Sequence, residues 1–347
     1  MKKNNNKILV TGGSGFLGAQ ICRVLYNSGY EPIIIDHDKN RNWAINDFTF
    51  FNFDFSSPDA LNIISEFKPN SVLHLAAFHL VEESVLHPRE YYLNNVIKTK
   101  ILLDSCIENN VENFIFSGTG GVYGERETKE PFGENLTPKP SNPYTNSKLM
   151  TENMLADYSD AYGINYISTR YFNAAGANPE GLNGYTQEPS SHIVPILMEK
   201  ILKQEVFIIN GNNYNTPDGT CIRDYCHIND IAEGKLAAIK FLENGGKSGI
   251  VNLGSGKGLS IMELIHSAEE ITGRELKVKI GPRRTGDVTY LCADISKAQK
   301  ILGWNPKKSN NQLFQESYDW FIENSEKLKN TGTTHTTKLN PKIFKLI

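Results

Sequence analysis

A tyrosine and a lysine stand four positions apart in the segment NPYTNSKLMTENML, as Tyr144 and Lys148. In a helix this spacing puts both side chains on one face. A free tyrosine has a pKa near 10, so its use as a base near neutral pH requires a pKa lowered by about three units, or roughly 4 kcal/mol of phenolate stabilisation. A neighbouring ammonium and a helix N-terminus both act in that direction. The pair therefore predicts proton transfer by Tyr144, assisted by Lys148.

In isolation, a Tyr-x-x-x-Lys spacing is more often a solvated pair on a helix surface. The upstream segment FSGTGGVYG favours the chemical interpretation, because it places a hydroxyl group, that of Thr119, just past a strand and ahead of the pair. We therefore take Thr119, Tyr144 and Lys148 together as the candidate catalytic residues.

Glycines cluster where a β-branched run at residues 7–11 gives way to a helical pattern. The motif TGGSGFLG places Gly12, Gly15 and Gly18 at the spacing of dinucleotide-binding turns. Glycine permits the tight turn and lets the backbone approach a pyrophosphate, while the following helix N-terminus offers unpaired N–H groups. The motif predicts a bound dinucleotide.

A carboxylate follows the second apolar strand pattern, about twenty residues after the glycines, as Asp36. There it can accept hydrogen bonds from the adenosine ribose hydroxyls. A 2′-phosphate at the same place would meet a like charge, so Asp36 favours NAD over NADP.

The elements that must position these residues alternate along the first half of the chain. Strand patterns alternating with helical ones predict βαβ crossovers and a parallel sheet. The strand patterns lie at 7–11, 32–36, 50–53, 71–77, 113–118 and 164–173, and the helical ones at 16–27, 58–67, 88–109 and 143–162. The predicted fold class is α/β: a Rossmann doubly wound parallel sheet with a smaller C-terminal α/β substrate domain.

After residue 173 the pattern becomes irregular and rich in Gly, Pro, Asn and Ser. We predict an NAD-binding domain at 1–175, to which segments near 226–254 return as a helix and a strand. A substrate-binding domain is predicted at 176–327. Residues 328–347 are polar and aperiodic, which predicts a mobile tail.

Composition narrows the partners. The formal net charge of −3 gives no footprint for nucleic acid, and no apolar run approaches the roughly 18 residues of a membrane span. The start of the chain shows no secretory pattern, so we expect a cytoplasmic protein. The cysteines have no zinc-like spacing, so we expect free thiols and no metal; they are Cys22, Cys106, Cys221, Cys226 and Cys292.

Seven segments resemble, in order, those of UDP-galactose 4-epimerases in the extended short-chain dehydrogenase/reductase superfamily. They are TGGSGFLG, LHLAAFHLVEESVLHPREYYLNNV, FSGTGGVYG, NPYTNSKLMTENML, RYFNAAGANPEG, DGTCIRDYCHINDIAEG and RRTGDVTYLCADISKAQKILGW, within roughly residues 7–305. The resemblance implies NAD-dependent exchange of UDP-galactose and UDP-glucose through a 4-keto sugar, with Thr119 as the hydroxyl partner of Tyr144 and Lys148. It also implies a homodimer built on the helices near 88–109 and 143–162.

The resemblance further implies the ligand contacts. Those to NAD are Gly12, Gly15, Phe16, Leu17, Gly18, Asp36, Asp54, Phe55, Ala76, Ala77, His79, Asn95, Tyr144, Lys148 and Phe172. Those to the UDP-sugar are Thr119, Asn173, Arg223, Arg284, Asp287 and Leu291. Arginine suits a diphosphate because its planar fork donates charge-assisted hydrogen bonds.

The chain departs from the family pattern at three positions. Thr119 stands where many members have Ser, and both supply an O–H group. Asn210 stands where an aromatic ring near the uracil is commoner. Leu291 stands at the position that admits or excludes N-acetylated sugars, where members carry either Tyr or a small residue.

Three alternatives stay open from the sequence. A nucleotide-sugar dehydratase or reductase shares the fold, but dehydratases carry an Asp-Glu pair where this chain has Gly120 and Gly121. A non-catalytic NAD-sensing regulator commonly loses the Tyr or the Lys, and this chain keeps both. An epimerase of UDP-GlcNAc or UDP-pentoses would use the same residues around the diphosphate.

Overall fold

The computed structural model describes residues 6–37, 44–127, 130–186, 190–284 and 287–330, with side chains described as far as Asn324. The strands within these residues are β1 (Lys7–Thr11), β2 (Glu31–Ile35), β3 (Thr49–Phe51), β4 (Ser71–His74), β5 (Asn113–Thr119), β6 (Asn165–Tyr171), β7 (Asn173–Ala175), β8 (Phe207–Asn210), β9 (Ile222–His227), β10 (Gly249–Leu253), β11 (Gly258–Ser260), β12 (Val278–Gly281) and β13 (Tyr290–Leu291).

The helices connect these strands and cover the sheets. They are α1 (Phe16–Asn27), α2 (Pro58–Phe67), α3 (Val81–Leu86), α4 (Pro88–Tyr92), α5 (Lys98–Glu108), α6 (Pro143–Tyr162), α7 (Ile193–Lys203), α8 (Ile228–Glu243), α9 (Ile261–Thr272), α10 (Ser296–Leu302) and α11 (Asn310–Asn330). A π-helical segment, Leu93–Ile97, joins α4 to α5, and a 3₁₀ turn, Gly120–Tyr123, follows β5.

Seven parallel strands form the main sheet, in the order β10-β6-β5-β4-β1-β2-β3. From β3 to β6 this is the strand order of doubly wound dinucleotide-binding folds. The order reverses between β1 and β4, so a crevice opens there at the carboxyl ends of the strands. The predicted Rossmann fold class is confirmed.

Helices bury both faces of this sheet. Since successive residues of a strand point to opposite faces, each strand contributes side chains to both cores. Ile8 and Val10 of β1 pack into the core shared with α1 and α8. Leu9 packs into the core on the other side, with α2, α5 and α6. β5, which carries one catalytic candidate, is therefore held between two packed layers, and α6, which carries the other two, belongs to one of these layers.

Local signals set the ends of α6, the helix that carries the Tyr-Lys pair. Pro143 occupies its first turn, and the side chain of Asn142 accepts a hydrogen bond from the N–H of Thr145 at 3.0 Å. The helix ends before Gly163, whose φ of 77° is left-handed. The helix predicted at 143–162 is confirmed, and Tyr144 lies in its first turn.

The chain returns to the main sheet after β9, as predicted for 226–254. α8 packs on α1, and β10 pairs with β6 along its whole length. The start of this helix was predicted two residues early. Cys226 and His227 end β9 instead, and the His227 ring caps α8 by accepting a hydrogen bond from the N–H of Asn229 at 3.0 Å.

Two small sheets form the rest of the structure. β9 pairs with β7, β11 and β13, and β8 pairs in parallel with β12. Their apolar side chains share a core with α7, α9 and α11, which includes Leu197, Leu264 and Phe314. The domain boundary between residues 175 and 176 stays a prediction.

Two predicted elements differ from the structure. The single helix predicted at 88–109 is interrupted by the π-helical segment, where Asn94 and Asn95 are buried. The polar tail predicted from residue 328 overlaps α11, which continues to Asn330, and residues 331–347 lie outside the described residues.

Among the described helices, none has the length and apolar character needed to cross a bilayer. The five cysteines are buried and unpaired. Within the described ranges, His, Cys, Asp and Glu side chains form no group of three suited to a metal ion.

Candidate active site

The glycine turn between β1 and α1 forms a cradle that side chains would fill. Gly12 has a φ of +74°, and a Cβ on it would lie 2.7 Å from the backbone nitrogen of Ala76. A Cβ on Gly18 would lie 2.2 Å from the carbonyl oxygen of Gly12. Gly15 is the N-cap of α1 and has no side chain to cap it, so backbone N–H groups at the helix N-terminus are left to bind a phosphate. Phe16 and Leu17 form the first turn of this helix.

Asp36 lies just past the carboxyl end of β2, beside this cradle. Its carboxylate accepts hydrogen bonds from Ser14, at 3.1 Å from the backbone N–H and 2.6 Å from the hydroxyl. The carboxylate and the open helix N-terminus therefore share one edge of the sheet, as a ribose and a pyrophosphate require. These residues fit NAD.

A second carboxylate lies beyond β3, at Asp54. It accepts hydrogen bonds from Lys98 and from the backbone and hydroxyl of Ser56, at 3.0 and 2.8 Å. Burial raises the pKa of Asp54, but the bonds from Lys98 and Ser56 outweigh this and hold it below its usual value. The neighbouring Phe55 is buried with its ring edge against His74, 4.9 Å between centroids.

Asn95, in the π-helical segment, ties together the loop after β4 and helix α6. Its amide exchanges two hydrogen bonds of 2.9 Å with the backbone of Phe78 and donates a third, at 3.1 Å, to the hydroxyl of Ser147. Phe78 lies in the loop among the predicted NAD contacts Ala76, Ala77 and His79. The π-helical segment thus fixes the wall of the crevice opposite the glycine cradle.

Thr119, Tyr144 and Lys148 come together at the carboxyl end of β5. The side chain of Thr119 lies close enough to Tyr144 to lower the pKa of its phenol. The Thr119 hydroxyl also accepts a bond from the N–H of Gly121 at 3.1 Å. Lys148 is 3% exposed, and its Nζ lies 4.7 Å from the centre of the Phe116 ring. The predicted grouping of a phenol, a hydroxyl and an amine is therefore present.

Burial dominates the protonation of this group. It raises the pKa of Tyr144, and the bond with Thr119 offsets only part of that increase. It lowers the pKa of Lys148 to about 7, against an opposing effect of Glu152. In the protein alone, the pKa of Tyr144 therefore lies above its usual value, and its lowering in the presence of NAD stays a prediction. A phenolate here needs positive charge that binds or forms beside it.

The predicted diphosphate contacts gather around β9 and β13. Arg223 is 8% exposed and bonds to the carboxylate of Asp287. The same carboxylate accepts a bond from the hydroxyl of Tyr214 at 3.4 Å. The side chain of Asn173 donates to the carbonyl oxygen of Asp224 at 2.9 Å, which ties β7 to β9. Arg223, Asn173 and Asp287 are thus brought to one end of the crevice.

Arg284 is less tightly held than Arg223. Its side chain is 57% exposed and lies 3.5 Å from the carboxylate of Glu82 on α3. Leu291 pairs in register with Arg223 and packs, 9% exposed, in a cluster with Tyr123 and Phe132. Only Arg284, among the predicted substrate contacts, extends into solvent.

Residues 8–254 match the model of the NAD dependent epimerase/dehydratase family, which is more than half of the chain. The chain belongs to this family. The resemblance predicted from its motifs is therefore confirmed.

Relatives within the epimerase family match along almost their whole length. UDP-glucose 4-epimerase of Halalkalibacterium halodurans is 41% identical over 91% of this chain and 96% of its own. The structure of UDP-glucose 4-epimerase from Brucella ovis in complex with NAD is 37% identical, has a TM-score of 0.86, and covers 91% of this chain and 98% of its own. The structure of UDP-glucose-4-epimerase from Stenotrophomonas maltophila holds bound NAD and formylated UDP-arabinopyranose. It is 30% identical, has a TM-score of 0.89, and covers 92% of this chain and 99% of its own.

One part of this epimerase-family site has no counterpart in the sequence prediction. Phe16 of the glycine turn meets the rings of Tyr185 and His192, with centroids 5.4 and 6.3 Å away, and His192 lies 5.8 Å from His79. The side chain of Asn183 also donates to the carbonyl oxygen of Phe16 at 2.8 Å. The sequence signal was only an irregular loop, because these contacts join residues far apart in the chain.

Proposed function

We propose that this protein interconverts UDP-galactose and UDP-glucose by NAD-dependent 4-epimerisation through a 4-keto sugar. NAD-dependent epimerisation of a UDP-sugar is the activity of the relatives that match nearly the whole chain. The observation that carries the proposal is the phenol of Tyr144 beside the buried Thr119, with the buried Lys148 one turn further along the same helix.

In the proposed reaction, Tyr144 accepts the proton of the sugar O4, and Thr119 bonds to the same oxygen and orients it. Bound NAD supplies the acceptor and donor for the C4 hydride. Arg223 holds the diphosphate end while the sugar turns, and Arg284 closes on it from the solvent side. Tyr144 returns its proton when the hydride reaches the opposite face, so no proton is gained or lost.

The dehydratase alternative meets a steric objection. Elimination requires acidic side chains directly after the catalytic threonine, where this chain has Gly120 and Gly121. A Cβ on Gly120 would lie 2.7 Å from the Phe172 ring, and one on Gly121 would lie 2.8 Å from the methyl group of Thr145. The packing therefore favours epimerisation.

Other UDP-sugars are a second candidate substrate class. The relative from Stenotrophomonas maltophila was solved with formylated UDP-arabinopyranose. In this chain Leu291 leaves an apolar surface of intermediate size beside Arg223. UDP-GlcNAc and UDP-arabinose are accordingly the second substrates to assay.

We infer a homodimer formed by the exposed apolar face of α3, α5 and α6. The face spans several elements, because α3, α4 and α6 pack against one another. It carries Val85, Leu86, Ile97, Ile101 and Met150, which are 38 to 75% exposed. Contiguous apolar side chains of this kind mark association surfaces. We also expect the enzyme to work in the cytoplasm, in keeping with five unpaired thiols.

Incubation of the purified protein with UDP-galactose, without added cofactor, tests the function. We expect UDP-glucose to form, followed by NMR, with NAD carried through purification. Tyr144→Phe should lose most of the activity, at least the 100-fold that general acid–base catalysis typically contributes, and keep its circular dichroism spectrum. Tyr162→Phe, an exposed tyrosine on the same helix, is the matched control. No conversion by the wild-type protein, even with NAD added, would contradict the proposal.

A further inference from the structure

A second lysine, Lys235 of α8, is buried beneath the catalytic group with no exposed surface. Its Nζ donates hydrogen bonds to the hydroxyls of Ser117, at 2.8 Å, and Thr169, at 2.7 Å. Among the described residues, no carboxylate bonds to it. An ammonium without a counterion is costly to bury, and burial together with the charge of Lys148 lowers the pKa of Lys235 to about 7.

The two hydroxyls that hold this amine form a rung of the main sheet. Ser117 and Thr169 are register partners on β5 and β6, and the next rung on the same face pairs Thr119 with Tyr171. Two residues along a strand span about 6.6 Å. The amine of Lys235 is therefore held one rung below Thr119, the side chain that lowers the pKa of Tyr144.

The two lysines reach the sheet from its opposite faces. Lys148 comes from α6, and Lys235 comes from α8 on the other side. The titratable groups that face Lys235 are Lys148, His74 of β4 and Tyr171 of β6, whose ring centre is 5.4 Å from the amine. His74 is itself buried with a depressed pKa, so it adds little positive charge.

We propose that Lys235 is a positioning residue of the reaction: its ammonium, held on the Ser117–Thr169 rung, stabilises the negative charge of Tyr144 from the face opposite Lys148. The proposal rests on the proposed function of Tyr144 as the base. Because the pKa of Lys235 is about 7, its amine gains or loses a proton near neutral pH at little cost in free energy. The ammonium can therefore form when the phenolate forms. This supplies the additional positive charge that Tyr144 requires after burial.

Lys235→Met tests the proposal, because it keeps an apolar stem of similar length and removes the charge. We expect the acid limb of the pH profile of kcat to move up by about one unit, which is a tenfold loss of rate on that limb. The plateau rate and the KM for the UDP-sugar should stay unchanged. Lys240→Met, an exposed lysine on the same helix, should leave the profile as it is.

Lys235→Gln separates charge from hydrogen bonding. It keeps a donor for Ser117 and Thr169 but has no charge, so we expect it to shift the profile as Lys235→Met does. Recovery of the wild-type profile in Lys235→Gln, or an unshifted acid limb in both variants, would overturn the proposal. Circular dichroism of each variant establishes that it folds.

The tyrosinate absorbance of the holoenzyme gives a readout that does not need turnover. The pH titration of each protein, minus that of the same protein carrying Tyr144→Phe, reports the Tyr144 phenolate alone. We expect this titration to move upward in Lys235→Met. If the wild-type protein does not epimerise UDP-galactose but the Tyr144 titration still moves in Lys235→Met, the proposed function fails and the coupling of Lys235 to Tyr144 stands. If the titration does not move, the coupling is contradicted and the proposed function is unaffected.

Discussion

At the scale of single residues, Gly18 shows how little room the NAD cradle leaves. One methyl group there would lie 2.2 Å from the carbonyl oxygen of Gly12, and backbone cannot move aside cheaply. We expect Gly18→Ala to weaken NAD retention at least tenfold, measured as NAD released per protomer after purification and gel filtration. Gly249→Ala, where a Cβ would meet open space, is the control. Equal NAD content in the two variants would contradict the assignment of the cradle.

Residue types and spacing were enough to single out Tyr144, Lys148 and Gly12 as candidates, because each belongs to a short local motif. The surroundings of these residues were not predictable in the same way. The pKa of Tyr144 depends on burial between α6 and β5, and no local pattern encodes burial. Lys235 belongs to no local motif, and its partners Ser117 and Thr169 are far away in the chain.

At the scale of elements, α6 is fastened to β6 by a buried ion pair. Arg170 and Glu152 are each 2% exposed or less, and the carboxylate also accepts the hydroxyl of Ser168 at 2.7 Å. Removing one partner leaves the other charge buried and uncompensated, which costs about 3 to 5 kcal/mol. We therefore expect Glu152→Gln to lower the free energy of unfolding by that amount in urea titration.

The exposed pair Lys203–Glu199 on α7 provides the comparison for this ion pair. Surface pairs contribute about 0 to 1 kcal/mol, so Glu199→Gln should change the urea midpoint little. If the two variants lose similar stability, the Arg170–Glu152 pair does not hold α6 in place.

Elements with long, regular patterns were predictable to within a residue, such as α6, β1, β2 and β5, whereas the strand predicted at 71–77 ends three residues early, at His74. Those defined by tertiary partners were not. β7, β11 and β13 are two or three residues long and exist through their pairing with β9. The π-helical segment was read as ordinary helix, because its irregularity comes from the buried bonds of Asn95 with Phe78 and Ser147.

At the scale of the whole molecule, the proposed dimer can be tested by charging its face. Ile97 and Ile101 lie one helical turn apart and are 50 and 38% exposed. Burying two lysines against a second copy is costly, so we expect the double variant Ile97→Lys/Ile101→Lys to sediment as a monomer, and the wild type as a dimer.

The matched control places the same charges on another exposed apolar pair, Ile208 and Ile280, on β8 and β12. Ile208→Lys/Ile280→Lys should keep the wild-type sedimentation coefficient. A double variant at Ile97 and Ile101 that still sediments as a dimer would rule out this interface.

The return of the chain to the main sheet has a consequence for biosynthesis. β6 is finished at Tyr171, but its outer partner β10 lies at Gly249–Leu253, and α8, which covers one face of the sheet, lies between them. While the ribosome adds this intervening stretch, the nascent sheet has an open edge and an uncovered apolar face, both of which invite aggregation. The second half of the chain is thus needed to protect the first, apart from the sugar binding proposed for it.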